Sequence, residues 1–181
     1  YKLDDASGVV AADASGNGLD GTVNGTPKWV DGTTDGAFEF SGTENITLPA
    51  PALGLTPEIG SVAFWMNADV PSTGINTMFW AGDNTTGGGF GPENELHLHL
   101  EQAVSGTWLG GELTFYIMEN ADPDPDDIIF LHSDPDKGGE DERANTPVNP
   151  ILLGDKQWHH IAGTWGNGMA TMYIDGEKIA E

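Results

Sequence analysis

Residues 157–174 read QWHHIAGTWGNGMATMYI, and residues 175–180 continue with DGEKIA. Two short apolar runs, Gln157 to Trp165 and Met169 to Ile174, flank Gly166-Asn167-Gly168. Gly and Asn tolerate the positive φ that a tight hairpin requires, so the runs read as two antiparallel strands. Asp175-Gly176 then turns the chain into a third strand, Glu177 to Ala180. His159 and His160 are consecutive, so their rings leave opposite faces, and at least one is expected to be structural.

The same pattern extends upstream. In Ser61 to Asn67 (SVAFWMN), Val62, Phe64 and Met66 point one way and Ala63, Trp65 and Asn67 the other. Asn94 to Glu101 and Glu112 to Met118 read as another pair. Shorter candidates are Gly21 to Asn24, Ala37 to Phe40, Asn45 to Leu48, Thr77 to Ala81 and Ile128 to Leu131. No segment holds a 3.6-residue period for three turns, so at most a single helical turn is expected. The 26 Gly and 11 Pro punctuate short apolar runs, and six Trp and seven Phe argue against a disordered linker. The class is all-β, a two-sheet antiparallel sandwich. With no repeat or linker, residues 1–181 read as one domain carrying an acidic insertion around 119–143.

Charge removes several functions. Six Lys plus Arg against 29 Asp plus Glu give a formal net charge of −23 at pH 7. A nucleic acid partner needs clustered cations, and an anionic lipid surface needs the same, so both are excluded. No apolar run has the length of a membrane span, and no charged-then-apolar leader opens the chain. Zero Cys excludes disulfides, thiolate metal sites and Cys nucleophiles.

The segment LDDASG at 3–8, ADASGNGLDGT at 12–22, GAFEFSG at 36–42, the strand ending Phe64-Trp65-Met66, WHHIAGTW at 158–165 and MYIDG at 172–176 occur in that order. The ordered set resembles the laminin G-like branch of the concanavalin A-like lectin/glucanase superfamily and covers most of the chain. The resemblance implies a jelly roll, a carbohydrate- or protein-binding role on secreted or surface proteins, and frequently a structural calcium. It also implies about two further strands after the hairpin and a closing acidic residue near the metal. The sequence stops at Glu181, so the expected sandwich lacks C-terminal strands or takes them from a neighbouring chain. A jelly roll short of strands has open edges, which invite strand addition.

Calcium takes six to eight oxygens from carboxylates, amides and carbonyls. Asp13, Asn17 and Asp20 offer such oxygens, with Ser15 between them; the alternative is ordinary turn chemistry around Asn17-Gly18. Asp122, Asp124, Asp126 and Asp127 are dense, but Pro123 and Pro125 hold the backbone extended, so a solvated acidic loop is the favoured reading. Glu95, His97, His99 and Glu101 share one strand face. Six residues separate the two Glu, roughly 20 Å on an extended strand. A retaining glycosidase needs its carboxyl groups about 5–5.5 Å apart, so this pair cannot flank one bond. The histidines are candidates for a transition metal or a sugar hydroxyl, against a merely half-exposed face.

Trp65, Trp158, Trp165, Phe38, Phe40 and Tyr173 read as core. Trp80, Phe90, Trp108 and Trp29 lie near loops or strand ends, where such rings either stack on a sugar or pack into the core. The expected function is a non-catalytic carbohydrate-binding module of a secreted or surface protein, with ligand contacts from Trp80, Asp83, His97, His99 and Trp108 and a structural calcium at Asp13, Asn17 and Asp20. The alternatives are an adhesion or filament subunit completed by a neighbouring chain's strands and, third, a glycoside hydrolase or lyase.

Overall fold

A computed structural model describes residues 1–49, 59–70, 75–82, 95–101, 110–118, 128–133 and 151–181. Among these the chain forms strands only: β1 (Val10–Ala11), β2 (Gly21–Asn24), β3 (Trp29–Asp31), β4 (Gly36–Phe38), β5 (Asn45–Thr47), β6 (Ile59–Asp69), β7 (Asn76–Gly82), β8 (Glu95–Leu100), β9 (Leu113–Met118), β10 (Ile128–His132), β11 (Asp155–Gly166), β12 (Met169–Ile174) and β13 (Glu177–Ala180). Every strand pairing is antiparallel. No helix among the described residues is long and apolar enough to cross a membrane. The chain divides into two compact units, Tyr1–Leu55 and Thr56–Glu181.

In the first unit β2 lies between β1 and β5, and β3 pairs with β4. Gly21 and Val23 are buried while Thr22 and Asn24 are exposed, the period-2 signature of a half-buried strand. Ala11, Val23 and Phe38 form the core, with Leu3, Trp29 and Ile46 against it. Trp29 meets Phe38 edge-on at 5.0 Å, a favoured aromatic arrangement. Phe40, read from sequence as core, is 52% exposed. It follows the end of β4 and rests on Phe38 with ring centroids 4.7 Å apart. β1 and β3 were not anticipated, because two or three residues are too few to show alternation.

The second unit holds two four-stranded sheets, ordered β13-β12-β11-β6 and β10-β9-β8-β7. Both hairpin turns of the first sheet are of the kind read from sequence. Asn167 and Gly168 have φ of 55° and 77°, and Asp175 and Gly176 have 52° and 85°. Positive φ at both central residues matches the twist of the flanking strands.

The sheets meet through alternate side chains. Ile161 and Trp165 of β11 and Met172 and Ile174 of β12 are buried, as are Leu96, Leu98 and Leu100 of β8 and Leu113, Phe115 and Ile117 of β9. Phe115 lies 6.2 Å from Trp165 with the rings at 64°. Gly163 admits that ring, since a Cβ there would come within 2.9 Å of Phe115 Cε1. This layered stack is the sandwich expected from the sequence. Each fully buried Leu, Ile, Phe or Met contributes roughly 1.5–3 kcal/mol.

Three further core assignments are corrected: Trp65, Trp158 and Tyr173 stand on the rows of β6, β11 and β12 turned away from the second sheet, and Trp158 and Tyr173 are only half-buried. Trp65 is 54% exposed. Its strand alternates as expected, but Trp65 belongs to the row opposite Val62, Phe64 and Met66, which faces away from the second sheet. Alternation separates two faces without saying which one is covered.

Candidate functional site

In β8 the leucines turn toward the sandwich interior, so the intervening His97 and His99 turn to the other side of the sheet. Cross-strand register adds neighbours on that side. Thr114 stands opposite His99 and Tyr116 opposite His97 on β9; His132 stands opposite Thr114 and Phe130 opposite Tyr116 on β10. On β7 the register shifts between Thr77 and Phe79. The extra residue of that bulge lets both Thr77 and Trp80 share the histidines' face, although they are three residues apart.

These groups form a continuous polar chain. Thr77 Oγ1 and His97 Nε2 are hydrogen-bonded at 2.8 Å. The His97 and His99 ring centroids are 4.6 Å apart. His99 Nε2 donates to Glu101 Oε1 at 2.8 Å, and the Thr114 hydroxyl donates to the same oxygen at 3.3 Å. His132 Nδ1 lies 3.4 Å from both Thr114 Oγ1 and Glu112 Oε1. His99, Glu112 and Thr114 are fully buried, and His97, Glu101 and His132 nearly so. A buried network of this kind is strong where satisfied and costly where not. His99 Nδ1 is a buried atom without a hydrogen-bond partner. Burial, and secondarily the neighbouring His99, push the His97 imidazole down to about 4, so His97 is neutral at physiological pH. Trp80, opposite His97, is half-exposed, and Thr77 is exposed.

Of the ligand residues expected from sequence, Trp80, His97 and His99 come together on this face, while Asp83 and Trp108 lie outside the described residues, as do Phe90 and Asp122 to Asp127. Sequence reasoning missed Thr77, Glu112, Thr114 and His132. Each lies on or beside a strand that was read, but strand order and register, which bring them together, leave no local signal. Glu95 and Glu101 sit at opposite ends of β8. Glu95 is in register with Met118, whereas the Glu101 amide donates to Glu112 O at 2.8 Å at the other end of β9.

The loop expected to hold calcium lies in the first unit. Asp13 accepts amide hydrogens from Ser15 at 2.8 Å on Oδ1 and from Leu19 at 3.0 Å on Oδ2, and Asp20 Oδ1 accepts from the Asp13 amide at 2.8 Å. Asn17 Nδ2 donates to Ser15 Oγ at 2.9 Å. The Ser15 side chain first, then the Leu19 and Ser15 amides, hold the Asp13 carboxyl down at about 2. Asp13, Asn17 and Asp20 thus share one loop, organised by turn hydrogen bonds. Their oxygens keep further lone pairs, yet three side chains are fewer than a calcium shell of six to eight, so carbonyls or water must supply the rest. Among the described residues no three His, Asp or Glu side chains converge as a metal cluster.

His159 and His160 separate as expected. His159 Nδ1 lies 2.8 Å from Asp175 Oδ2 and its Nε2 3.3 Å from Asp155 Oδ1. Burial lowers the His159 value, but the hydrogen bonds to Asp175 and Asp155 outweigh it and leave the group raised. His160 faces the other way, opposite Trp65.

The sequence pattern of the concanavalin A-like lectin/glucanases superfamily matches residues 40–181. The chain belongs to this superfamily. A comparison with curated proteins finds no match. Among solved structures, domain 4 of AbnA, a GH43 extracellular arabinanase from Geobacillus stearothermophilus in complex with arabinotriose, is similar in fold. The TM-score is 0.58 at 22% identity, over 99% of this chain and 71% of that one. The superfamily match spans the whole sandwich of the second unit and enters the first unit at Phe40.

Proposed function

We propose that the chain is a non-catalytic carbohydrate-binding module of a secreted or surface-displayed protein. The observation that carries this reading is Trp80 in register with His97, whose ring is fixed by Thr77. A half-exposed indole beside ordered polar groups is the combination that sugar recognition uses, an apolar plane for the ring and fixed partners for its hydroxyls. Asp83 and Trp108, in the segments that follow β7 and β8 in the chain, complete the proposed contact set, and His99 holds the sheet behind it. Superfamily membership and a fold neighbour that binds arabinotriose support the reading. The non-catalytic part draws on the separation of Glu95 from Glu101 and on the burial of Glu101 and Glu112, which face protein groups.

Affinity electrophoresis in linear arabinan, xylan and mixed-linkage β-glucan tests it. At least one polymer should retard the chain, and Trp80→Ala should weaken binding about tenfold, the scale of one aromatic anchor. Unretarded migration in all three refutes the reading. The calcium part rests on Asp13, Asn17 and Asp20: added calcium should raise the melting temperature of the chain but not of Asp13→Ala, because a ligand stabilises only the state that binds it.

A second reading, assembly through open edges, draws on β6. Its 11 residues lie at the end of their sheet and, among the described residues, pair with β11 alone. A monodisperse monomer in sedimentation velocity removes it.

A further inference from the structure

The sheet β13-β12-β11-β6 has a second face, turned away from the sandwich interior. Cross-strand register places Trp65 opposite His160, Ala63 opposite Ala162, and Ala162 opposite Tyr173 on this face. Ala63 is exposed, and His160, Ala162 and Tyr173 are half-buried. Trp65 is 54% exposed, in a strand whose opposite row supplies the core. Exposed apolar residues scattered singly need no explanation, but an indole grouped with two other rings over a floor of alanines does. Leaving an indole in water forgoes the burial free energy that the other face of the same strand collects.

The arrangement is ordered in advance. The Trp65 and His160 ring centroids are 5.3 Å apart with the planes at 63°. That edge contact fixes the indole, so little side-chain freedom remains to be lost when a ligand arrives. Trp65 and Tyr173 are separated by two strand spacings and one two-residue step, about 12 Å between backbones. The two rings therefore stand at either side of a shallow trough, floored by Ala63 and Ala162, with room for about two linked sugar rings. Thr164, half-buried two residues beyond Ala162 on the same face, supplies a hydroxyl to the floor. The net charge of −23 opposes a polyanion such as a polyuronate.

We propose that this face is a second saccharide-binding platform, for a neutral polysaccharide, with Trp65 as its stacking plane. It rests on the carbohydrate reading above but uses a different sheet. The platform lies on one sheet and Trp80 on the edge strand β7 of the other, so a single chain carries two separate sugar sites. Two sites raise avidity for a polymer and link separate polymer strands.

Isothermal titration of the full chain with arabino-, xylo- and gluco-oligosaccharides, and turbidity with the corresponding polysaccharides, test it. The expected stoichiometry is two sugars per chain, falling to one in Trp65→Ala and to one in Trp80→Ala. Polymer cross-linking should be lost in both, and Trp65→Tyr should keep the second site because it keeps a ring. Far-UV circular dichroism of Trp65→Ala should match the parent, since the indole is exposed. One site that is lost with Trp80→Ala and untouched by Trp65→Ala overturns the platform and leaves the functional reading intact. One site lost with Trp65→Ala alone supports the platform and overturns the placement at Trp80. No binding of any probe overturns both.

Discussion

Replacing Gly163 by alanine tests whether the two sheets of the second unit lie face to face. An added Cβ would sit 2.9 Å from Phe115 Cε1 and 3.1 Å from Cζ, inside the contact distance of carbon atoms. Phe115 is fully buried against Trp165 and cannot swing into solvent. Overpacking of this kind costs about 1–3 kcal/mol. Against it, alanine in a strand is favoured over glycine by roughly 0.5–1 kcal/mol of chain entropy. The net loss should therefore be about 0–2.5 kcal/mol. Phe115→Leu removes the ring edge that the methyl would strike. In that background only the entropic gain remains, so Gly163→Ala should be neutral or stabilising by up to about 1 kcal/mol. The coupling between the two positions is then about 1–3 kcal/mol. Urea denaturation followed by tryptophan fluorescence measures all four proteins. At a slope near 2 kcal/mol per molar, the coupling appears as a midpoint difference of about 0.5–1.5 M. If alanine at 163 has the same effect in both backgrounds, within about 0.5 kcal/mol, the facing of the two sheets is refuted.

Glu101→Ala should destabilise by about 2–5 kcal/mol, because His99 Nε2 and the Thr114 hydroxyl both lose their buried acceptor, whereas Glu101→Gln keeps an oxygen there and should recover most of it. Equal denaturation midpoints for the two variants would count against the network. For His97, the folded value near 4 lies below the ordinary 6.5, so its contribution is complete above pH 6.5 and is lost as pH falls toward 4. The loss amounts to about 3 kcal/mol at most, and His97→Gln should flatten the melting profile in that window. His159 runs the other way: raised by Asp175 and Asp155, it stabilises fully below the ordinary imidazole value and loses that contribution as pH rises through the raised one. His159→Gln should therefore remove a decline in melting temperature above pH 6.5, and a parallel decline in the variant contradicts the pairing.

Much of the strand pattern is legible in the residues themselves. Asn167-Gly168 and Asp175-Gly176 mark the two hairpin turns, and the pairing of β8 with β9 follows from two alternating runs close in sequence. Alternation also puts His97 and His99 on one side of a strand, opposite the leucines. What it leaves open is shown by Trp65 and Phe40, both aromatic, both in or beside strands, and both exposed. The candidate site divides in the same way. Trp80 and the histidines stand out by residue type, whereas Thr77 joins them only because β7 carries a bulge, and Thr114 and His132 only because β9 and β10 stack beside β8 in one register.

By itself, then, the order of residues determined the all-β class, most strand positions and the side of each strand on which a residue stands, because these depend on local periodicity and turn geometry. Which side is covered, which carboxylate meets which imidazole, and that an indole is left facing water were decided by tertiary structure. Those outcomes depend on pairings between segments distant in the chain, such as Trp65 with His160 and Glu101 with Thr114, and no local pattern encodes them.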